Sequence, residues 1–250
     1  MRLGIIDWGI GGVSIYRLIK ERLGDIPVTY FSDTGVTPYG KMSRAELVGR
    51  LNDVIGYLKS RGVTHIVVGC NAASTALPYI DSSGLTIEGV IGPAITFTAK
   101  LKPAHLGVVG GRRTILSGVY RRGFNEKGIS VIQRIAQPLS GLIESGDTGS
   151  DTLRAEAKRI LAPMCECSHV LLACTHYPAI TPILREFVSP DTKFIDPAAK
   201  MVNIVRQWRL PTGGRDEFLT SGDTAAMKRA ARNAFGIHLP QRTQRAPRID

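Results

Sequence analysis

Short apolar runs recur along the chain, and the segments between them place apolar residues at helical spacing. Gly, Pro and polar residues bound the runs, which cover Leu3–Ile6, Val28–Phe31, His65–Val68, Leu106–Val109, Val170–Ala173 and Phe194–Ile195. Runs of this kind are typical of strands buried in a parallel sheet. Their alternation with helices predicts an α/β fold in which helices cover both faces of the sheet.

Two of the helices have start signals. Ser43 and Glu46 form a capping box, and the apolar residues that follow share one helical face (Leu47, Leu51, Val54, Ile55 and Leu58). A second apolar stripe follows Gly12 and consists of Val13, Tyr16, Ile19 and Leu23. Residues 241–250 show no apolar period, which predicts a mobile tail at the end of the chain.

The chain also repeats itself. Leu3–Asp7 resembles Leu106–Gly110 at an offset of 103 residues, and Val67–Ala72 resembles Leu171–His176 at an offset of 104. Two matches at nearly one offset indicate two similar α/β halves. We therefore predict two pseudosymmetric α/β domains, each with an open parallel sheet, and an active site at their interface. The N-terminal-type domain would comprise residues 1–93 plus 206–250, and the second domain residues 94–205.

Charge and composition narrow the classes of partner. The 250 residues include 32 Lys and Arg against 21 Asp and Glu, a formal net charge of +11 that would suit an anionic partner. Only 6% of residues are aromatic and the basic residues are scattered, which is typical of a solvated surface and predicts no nucleic-acid partner. No apolar stretch is long enough to cross a bilayer and no signal peptide is visible, so we predict no membrane association and a cytoplasmic location.

The positions of two cysteines predict acid/base catalysis by thiols. Four are too few for a disulfide scaffold in a chain of this length. Cys70 and Cys174 each end an apolar strand, at equivalent points of the internal repeat. A pseudo-two-fold axis would bring both thiols to the interface, facing one another across a ligand. One thiolate can then remove a proton from carbon while the other thiol delivers one to the opposite face.

Other interpretations of the same residues stay open. Either cysteine can be a small buried hydrophobe. A metal site is a second reading, because Cys165, Cys167, Cys174 and His176 lie close in sequence, but the spacing is poor for zinc and we predict no metal. The glycines before the first helix resemble a phosphate loop only weakly, although a helix N-terminus suits a carboxylate. His176 lies two residues after Cys174, on the same side of an extended chain, which favours an acid/base role over a purely structural one.

Five segments together carry a family resemblance. They are Asp7-x-Gly9-x-Gly11-Gly12, residues 30–40 with the turn Pro38-Tyr39-Gly40, Cys70-Asn71-x-Ala73-Ser74, Cys174-Thr175-His176-Tyr177-Pro178 and Thr220-Ser221-Gly222-Asp223. In this order they resemble the glutamate racemases of the aspartate/glutamate racemase superfamily, which are cofactor-independent enzymes with two α/β domains. The resemblance implies an amino-acid substrate, no cofactor and a supply of peptidoglycan precursors for the cell wall; it allows a homodimer without requiring one.

The resemblance also implies roles for individual residues. Cys70 and Cys174 would be the two catalytic bases, assisted by Asp7 and His176 respectively. The resemblance also implies the substrate-binding residues. Asn71 and Thr175 would hold the α-carboxylate, and the turn Pro38-Tyr39-Gly40 would offer N–H groups to the distal carboxylate. Trp8 and Ala72 would lie beside the substrate. Glu144 is a further candidate, because Leu142–Gly146 is similar to a family segment that carries a glutamate near the active site.

At three positions expected to lie near the substrate, this sequence differs from the family pattern. Trp8 stands where the family usually has Ser, and Ala72 and Gly111 stand where Thr is common. The missing hydroxyls are ones expected near the charged groups of the substrate, and each lost partner costs on the order of 1 to 3 kcal/mol. We predict glutamate as the substrate, with aspartate or another superfamily racemase or isomerase reaction as the alternative. A catalytically weak ligand- or partner-binding protein on the same scaffold is the alternative from another class.

Overall fold

The structure is a computed structural model that describes residues 1–249, and it alternates strands with helices. The strands are β1 Leu3–Asp7, β2 Val28–Ser32, β3 His65–Val68, β4 Thr86–Gly89, β5 Leu106–Gly110, β6 Val131–Ile135, β7 His169–Ala173, β8 Lys193–Ile195, β9 Glu217–Thr220 and β10 Gln244–Arg245. The α-helices are α1 Val13–Leu23, α2 Arg44–Ser60, α3 Asn71–Ser74, α4 Ile91–Lys100, α5 Arg112–Leu116, α6 Val119–Asn125, α7 Gln137–Glu144, α8 Asp151–Leu161, α9 Thr181–Arg185, α10 Ala198–Gln207 and α11 Thr224–Phe235.

Two parallel sheets carry the internal repeat. The first has the strand order β10-β9-β2-β1-β3-β4 and the second β6-β5-β7-β8. Leu3 of β1 lies beside His65 of β3, and Leu106 of β5 lies beside His169 of β7 in the same register. The four strands β2-β1-β3-β4 therefore recur as β6-β5-β7-β8, which confirms the two α/β halves and their parallel sheets. The domain boundaries at residues 93 and 206 stay a prediction.

Alternation along each strand divides the core into layers. Leu3, Ile5 and Val67 point toward the other half and share one hydrophobic cluster with Leu106 and Val108. Helices α1, α4, α6, α10 and α11 also contribute to this shared cluster. Alternate residues of the first sheet pack outward beneath α2, and those of the second pack outward beneath α7, α8 and α9. Each sheet is thus covered on both faces, as buried parallel strands require.

The six apolar runs all form strands, but the sequence prediction missed β4, β6, β9 and β10. β4 and β6 lie at sheet edges and are partly exposed along most of their length. An edge strand buries only some of its side chains, so it need not carry a continuous apolar run. Apolar runs consequently identified most central strands and the edge strand β8, but missed the edge strands β4, β6 and β10 and the inner strand β9.

The prediction of a mobile C-terminal tail is wrong for the residues that the structure describes. β10 pairs in parallel with β9, and the N–H of Ala246 donates to the Thr220 carbonyl at 2.7 Å. Further on, the Arg50 guanidinium donates to the carbonyl of Ile249 at 2.6 Å. Backbone hydrogen bonds with a neighbouring strand do not need an apolar period, which is why the sequence pattern missed them. The last residue of the predicted tail, Asp250, lies outside the described residues.

Helix α2 begins at the predicted capping box. The N–H of Ser43 donates to the Glu46 carboxylate at 2.7 Å, and the N–H of Glu46 donates to the Ser43 hydroxyl at 3.3 Å. Both donors would otherwise lack a partner within the helix. No helix within residues 1–249 combines the length and the apolar character needed to cross a bilayer.

Replacing Ser43 with Ala should lower the free energy of unfolding by about 1 kcal/mol, because the variant loses the side-chain acceptor of the cap. Urea unfolding followed by circular dichroism measures this change. Ser82→Ala is the matched control: this exposed serine makes no side-chain hydrogen bond among the described residues, so its unfolding midpoint should not move. Equal midpoints for both variants would show that the cap does not stabilise the fold.

Candidate functional site

The carboxyl ends of β1, β3 and β7 meet at a cavity between the two halves. Its volume is about 430 Å³, which lies in the usual range for small-molecule sites. The sequence-predicted residues that line it are Asp7, Trp8, Pro38, Tyr39, Gly40, Cys70, Asn71, Ala72, Cys174, Thr175 and His176. Glu144 lies behind His176 rather than in the cavity wall. The strand ends of both halves therefore converge on one space, as ligands of open parallel sheets require.

Cys70 ends the loop after β3 and Asp7 ends β1. Burial raises the pKa of the Cys70 thiol well above its usual range, and negative charges on Asp7 and Cys174 raise it further. N–H groups of Ala73 and Trp8 oppose this rise by donating toward the sulfur. A negative Cys174 therefore disfavours ionisation of Cys70.

A chain of hydrogen bonds runs through the second half. Cys174 Sγ lies 3.6 Å from His176 Nδ1, and His176 Nε2 lies 2.6 Å from a Glu144 carboxylate oxygen. Burial by itself lowers the pKa of His176, but the bonds to Cys174 and Glu144 outweigh it and raise that pKa well above its usual range. The same Glu144 oxygen accepts the N–H of Ile10 at 3.2 Å. Glu144 thus orients the imidazole beside Cys174 and also joins the two halves.

Asp7 is the buried anchor between the halves. One of its carboxylate oxygens accepts the N–H of Gly12 at 2.5 Å and the hydroxyl of Thr175 at 3.1 Å. The other oxygen is buried without a hydrogen-bond partner among the described residues. Burial raises the pKa of Asp7, although the charge of His176 opposes the rise. An unsatisfied buried carboxylate oxygen beside Cys70 is a position from which a proton can be exchanged.

The glycines before α1 allow the two halves to approach closely. A Cβ at Gly9 would overlap the Glu144 carboxylate, and one at Gly11 would overlap the Thr175 hydroxyl. The sequence prediction weighed these glycines as a weak phosphate loop. The structure instead shows that they leave room for side chains of the second half, which is a packing requirement rather than a nucleotide signal.

Asn71 lines the cavity and carries an amide N–H₂ group without a hydrogen-bond acceptor among the described residues. Its side-chain oxygen accepts the hydroxyl of Tyr120 at 2.7 Å, which fixes the orientation of the amide. The amide nitrogen is buried and has no hydrogen-bond acceptor within residues 1–249. A buried N–H₂ group without a partner costs free energy unless a ligand supplies the acceptor.

The turn Pro38-Tyr39-Gly40 forms another part of the wall and is held from behind. The Tyr39 hydroxyl donates to the carboxylate of Asp33 at 2.7 Å. Asp33 is fully buried, and both of its oxygens accept hydrogen bonds from the Arg50 guanidinium, at 2.7 and 2.8 Å. A fork of this type is geometrically specific, so it keeps Tyr39 and its neighbours in place.

The three departures from the family pattern all lie at the cavity. Trp8 lines it and donates its indole N–H to the Val36 carbonyl at 3.2 Å, while Ala72 contributes only a methyl group. A Cβ at Gly111 would lie 3.0 Å from the side-chain oxygen of Gln137. The indole therefore occupies space beside the cavity, and neither Ala72 nor Gly111 offers a hydroxyl to a ligand.

The sequence prediction missed several cavity residues, among them Lys41, Thr114, Gln137 and Ser140. Gln137 accepts the N–H of Arg112 at 3.0 Å and donates to the Ser140 hydroxyl at 3.0 Å. Gln137 and Ser140 lie on α7, which follows the undetected edge strand β6. Detecting that strand would have placed the start of α7 at the cavity edge, since ligand sites follow strand ends.

The four candidate metal ligands, Cys165, Cys167, Cys174 and His176, do not form a metal-binding cluster in the structure. No group of three or more His, Cys, Asp or Glu side chains within residues 1–249 is arranged to hold a metal ion. Cys165 is exposed and Cys167 is buried among apolar residues of the second half. Cys174 contacts His176 in the cavity, away from both.

Sequence comparison provides the family. A family model described as Asp/Glu/Hydantoin racemase matches residues 3–205. The chain belongs to the Asp/Glu/hydantoin racemase family. It is 32% identical to a glutamate racemase of Synechococcus sp. (strain CC9605) over 211 residues, which cover 82% of this chain and 77% of the relative. It is 31% identical to a glutamate racemase of Gloeobacter violaceus over 242 residues, or 92% and 91% of the two chains. The enzyme is accordingly a racemase, a member of the isomerase class.

Solved structures agree with this assignment. A glutamate racemase from Thermus thermophilus in complex with beta-chloro-D-alanine superimposes with a TM-score of 0.83 and 26% identity, covering 99% of this chain and 96% of that one. A glutamate racemase from Francisella tularensis in complex with D-glutamate gives a TM-score of 0.87, covering 98% and 95%. At 22% identity the second comparison establishes the fold alone. This racemase therefore has the two-domain α/β fold of those structures.

Gly11→Ala should destabilise the enzyme and reduce its racemase activity. The added methyl group would overlap the Thr175 hydroxyl and lie 2.9 Å from the Thr175 carbonyl carbon, and overpacking of this kind costs about 1 to 3 kcal/mol. Gly49→Ala is the matched control, because a Cβ at this helical position meets open space. The control should be as stable as the parent or gain up to about 1 kcal/mol. Urea unfolding measures both, and unchanged stability of Gly11→Ala would refute the close approach.

The ionisation of His176 should make stability depend on pH in a defined direction. Because the folded-state pKa is raised, the stabilisation is fully present below the unfolded-state pKa of about 6.5. It is lost as the pH rises through the raised folded-state pKa. Glu144→Gln removes one cause of the rise, so the titration midpoint of His176 should fall.

Imidazole NMR signals followed over pH give the midpoint in the parent and in Glu144→Gln. His169, at the opposite end of β7 from Cys174, is the internal control, and its signal should titrate alike in both proteins. A His176 midpoint that does not move in Glu144→Gln would contradict the assigned contact.

Proposed function

We propose that the protein is a cofactor-independent amino-acid racemase that acts on glutamate by two-base proton transfer between Cys70 and Cys174. The observation that carries the proposal is the position of the two thiols. They follow equivalent strands, β3 and β7, of the internal repeat, and both line the same cavity between the halves. A substrate held there would have one thiol on each side of its α-carbon, as inversion requires.

The proton transfer needs one thiolate and one thiol at the same time. Cys70 is a poor thiolate when Cys174 is charged, because burial and the neighbouring charges raise its pKa. One cysteine then removes the α-proton and the carbon–hydrogen electron pair stays on the substrate as a carbanion. The other cysteine gives its proton to the opposite face, which leaves the pair with its protonation states exchanged. A negative charge on Cys174 disfavours a second thiolate at Cys70, so one thiolate and one thiol can be present together.

The flanking groups differ on the two sides, which supports acid/base assistance at each thiol. Asp7 lies on the Cys70 side, and its raised pKa allows it to hold a proton. His176 lies 3.6 Å from Cys174, and its bonds to Cys174 and Glu144 raise its pKa, which favours the positive imidazole. A positive imidazole stabilises the Cys174 thiolate and can return a proton to it.

The carbanion and the α-carboxylate need donors that are already in position. The unpartnered amide nitrogen of Asn71 is one such donor, held in orientation by Tyr120. Thr175 is a second candidate, although its hydroxyl donates to Asp7. Donors that need not reorganise contribute most to transition-state stabilisation. The N–H groups of the turn Pro38-Tyr39-Gly40 would hold the distal carboxylate.

Aspartate is the second candidate substrate, because Trp8, Ala72 and Gly111 line or flank the cavity in place of smaller or hydroxylated residues. An indole beside the substrate favours a shorter dicarboxylate. A cytoplasmic location, a role in peptidoglycan supply and homodimerisation, each implied or allowed by the resemblance, remain predictions alongside this proposal.

Incubation of the purified protein with L-glutamate or L-aspartate in deuterium oxide tests the proposal. Proton NMR should show loss of the α-proton signal, and polarimetry should show racemisation, without any added cofactor. The faster of the two substrates identifies the natural one. Absence of exchange with every amino acid in a wider panel would refute the proposed reaction and favour a binding protein on this scaffold.

Cys70→Ser and Cys174→Ser should each reduce racemisation by at least about a hundredfold, since a serine hydroxyl is a far weaker acid than a thiol and a positioned acid or base contributes 10²- to 10⁴-fold. Cys165→Ser is the matched control, because this cysteine is exposed and remote from the cavity. Its activity should equal that of the parent. Full activity in either cavity variant would exclude the two-cysteine mechanism.

A further inference from the structure

The side chain of Gln137 lies between the two halves at the cavity wall. Gln137 is the first residue of α7, and it lines the cavity together with Gly40 and Gly111. Gly40 follows β2 of the first sheet, and Gly111 follows β5 of the second. A Cβ at Gly40 would lie 3.3 Å from the side-chain oxygen of Gln137, and a Cβ at Gly111 would lie 3.0 Å from the same atom. The carboxamide of Gln137 therefore fills the space where the halves meet.

The two glycines leave room for this carboxamide. Neither has a positive φ, so the backbone conformation alone does not require glycine at either position. Both distances are shorter than ordinary van der Waals contact, and a methyl group at either position would press on the Gln137 side chain. The missing side chain at Gly111, where the family pattern commonly has Thr, is thus matched by a long side chain at position 137.

Hydrogen bonds hold the carboxamide at both of its polar atoms. The oxygen accepts the N–H of Arg112 at 3.0 Å, and the nitrogen donates to the Ser140 hydroxyl at 3.0 Å. That hydroxyl donates in turn to the backbone carbonyl of Gln137 at 2.9 Å. The side chain must break these bonds before it can move aside for a ligand. Gln137 is therefore a fixed part of the wall, shaped before a ligand arrives.

Helix α7 separates Gln137 from the groups that are proposed to react. Gln137 begins the helix and Glu144 ends it, which corresponds to about 10 Å along the helix axis. Glu144 contacts His176, and His176 lies beside Cys174. At the other end of α7, Gln137 lies against the turn that contains Gly40. Gln137 therefore faces the part of a substrate that is remote from its α-carbon.

We propose that Gln137 closes the far end of the cavity and sets the longest substrate side chain that the enzyme accepts. The inference rests on the proposed racemase function and adds to it a residue that selects the substrate by length. A fixed wall discriminates through steric overlap, and one methylene group in such a pocket changes kcat/KM by roughly 10- to 200-fold.

The test compares Gln137→Ala, Gln137→Met and Gln207→Ala with the parent. Gln137→Ala opens the end of the cavity, whereas Gln137→Met keeps a side chain of the same length without the amide. Gln207→Ala is the matched control, because this exposed glutamine at the end of α10 does not line the cavity. Exchange of the α-proton in deuterium oxide gives kcat/KM for L-aspartate, L-glutamate and L-2-aminoadipate, which differ by one methylene group each.

The measured quantity is the ratio of kcat/KM for the homologue one methylene longer than the best substrate of the parent to kcat/KM for that substrate. Gln137→Ala should raise this ratio by at least about tenfold. Gln137→Met should leave the ratio near that of the parent, because its side chain fills the same length. Gln207→Ala should match the parent with every substrate. A purely structural role of Gln137 would instead lower kcat/KM for all substrates alike.

A second measurement reports length selection without turnover. Calorimetry gives the Kd values of succinate, glutarate and adipate, which have the same spacing of carboxylates as the three amino acids and no amino group. Gln137→Ala should shift the preference toward the longer diacids. Gln137→Met and Gln207→Ala should keep the preference of the parent.

The outcomes separate this inference from the proposed function. Unchanged ratios of both kcat/KM and Kd in Gln137→Ala overturn the inference and leave the racemase function standing. A shift in Gln137→Met as large as that in Gln137→Ala also overturns it, because length would then not be the cause. If the parent shows no exchange but Gln137→Ala gains preference for longer diacids, the proposed function fails and the length limit stands. No exchange and no such gain overturn both.

Discussion

The hydrogen bond from the Thr175 hydroxyl to the buried carboxylate of Asp7 joins the two halves at the point where their strands end. The rest of the site depends on this close approach. It requires Gly11, because a side chain there would displace Thr175, and it brings Ile10 within reach of Glu144. Glu144 in turn orients His176 beside Cys174. A shift between the halves would therefore alter packing and acid/base chemistry together.

Electrostatic balance is the second constraint on the cavity. Asp7, Glu144 and the two thiols bring acidic groups close together at the carboxyl ends of the strands, where Asp7 is buried. Burial and mutual repulsion raise the pKa values of Asp7 and Cys70, and His176 is held positive in compensation. Only part of the negative charge can form at one time.

Local patterns predicted most of the continuously buried strands and missed most of the exposed or partly exposed ones, although buried β9 was missed and partly exposed β8 was found. The runs in β1, β3, β5 and β7 are buried on both faces, so they were found, and the capping box placed the start of α2 correctly. The edge strands β4 and β6 are at least partly exposed along most of their length and were missed. The C-terminal strand β10 is held by backbone hydrogen bonds to β9. Such bonds do not depend on the pattern of apolar and polar side chains, so the sequence pattern did not predict this strand. The cavity residues that were predicted at strand ends do lie together at one cavity. The cavity residues on α7 were not predicted, because the strand before that helix, β6, was not predicted either.

The sequence by itself determined the doubled α/β architecture and the residues at its strand ends, because the period of apolar residues and the internal repeat are local properties of the chain. It also provided the motifs that indicate the family. Only the tertiary structure decided which distant groups share the cavity. The contacts of Glu144 with His176 and Ile10, the free amide of Asn71 and the reach of Arg113 across to Thr75 join residues far apart in sequence.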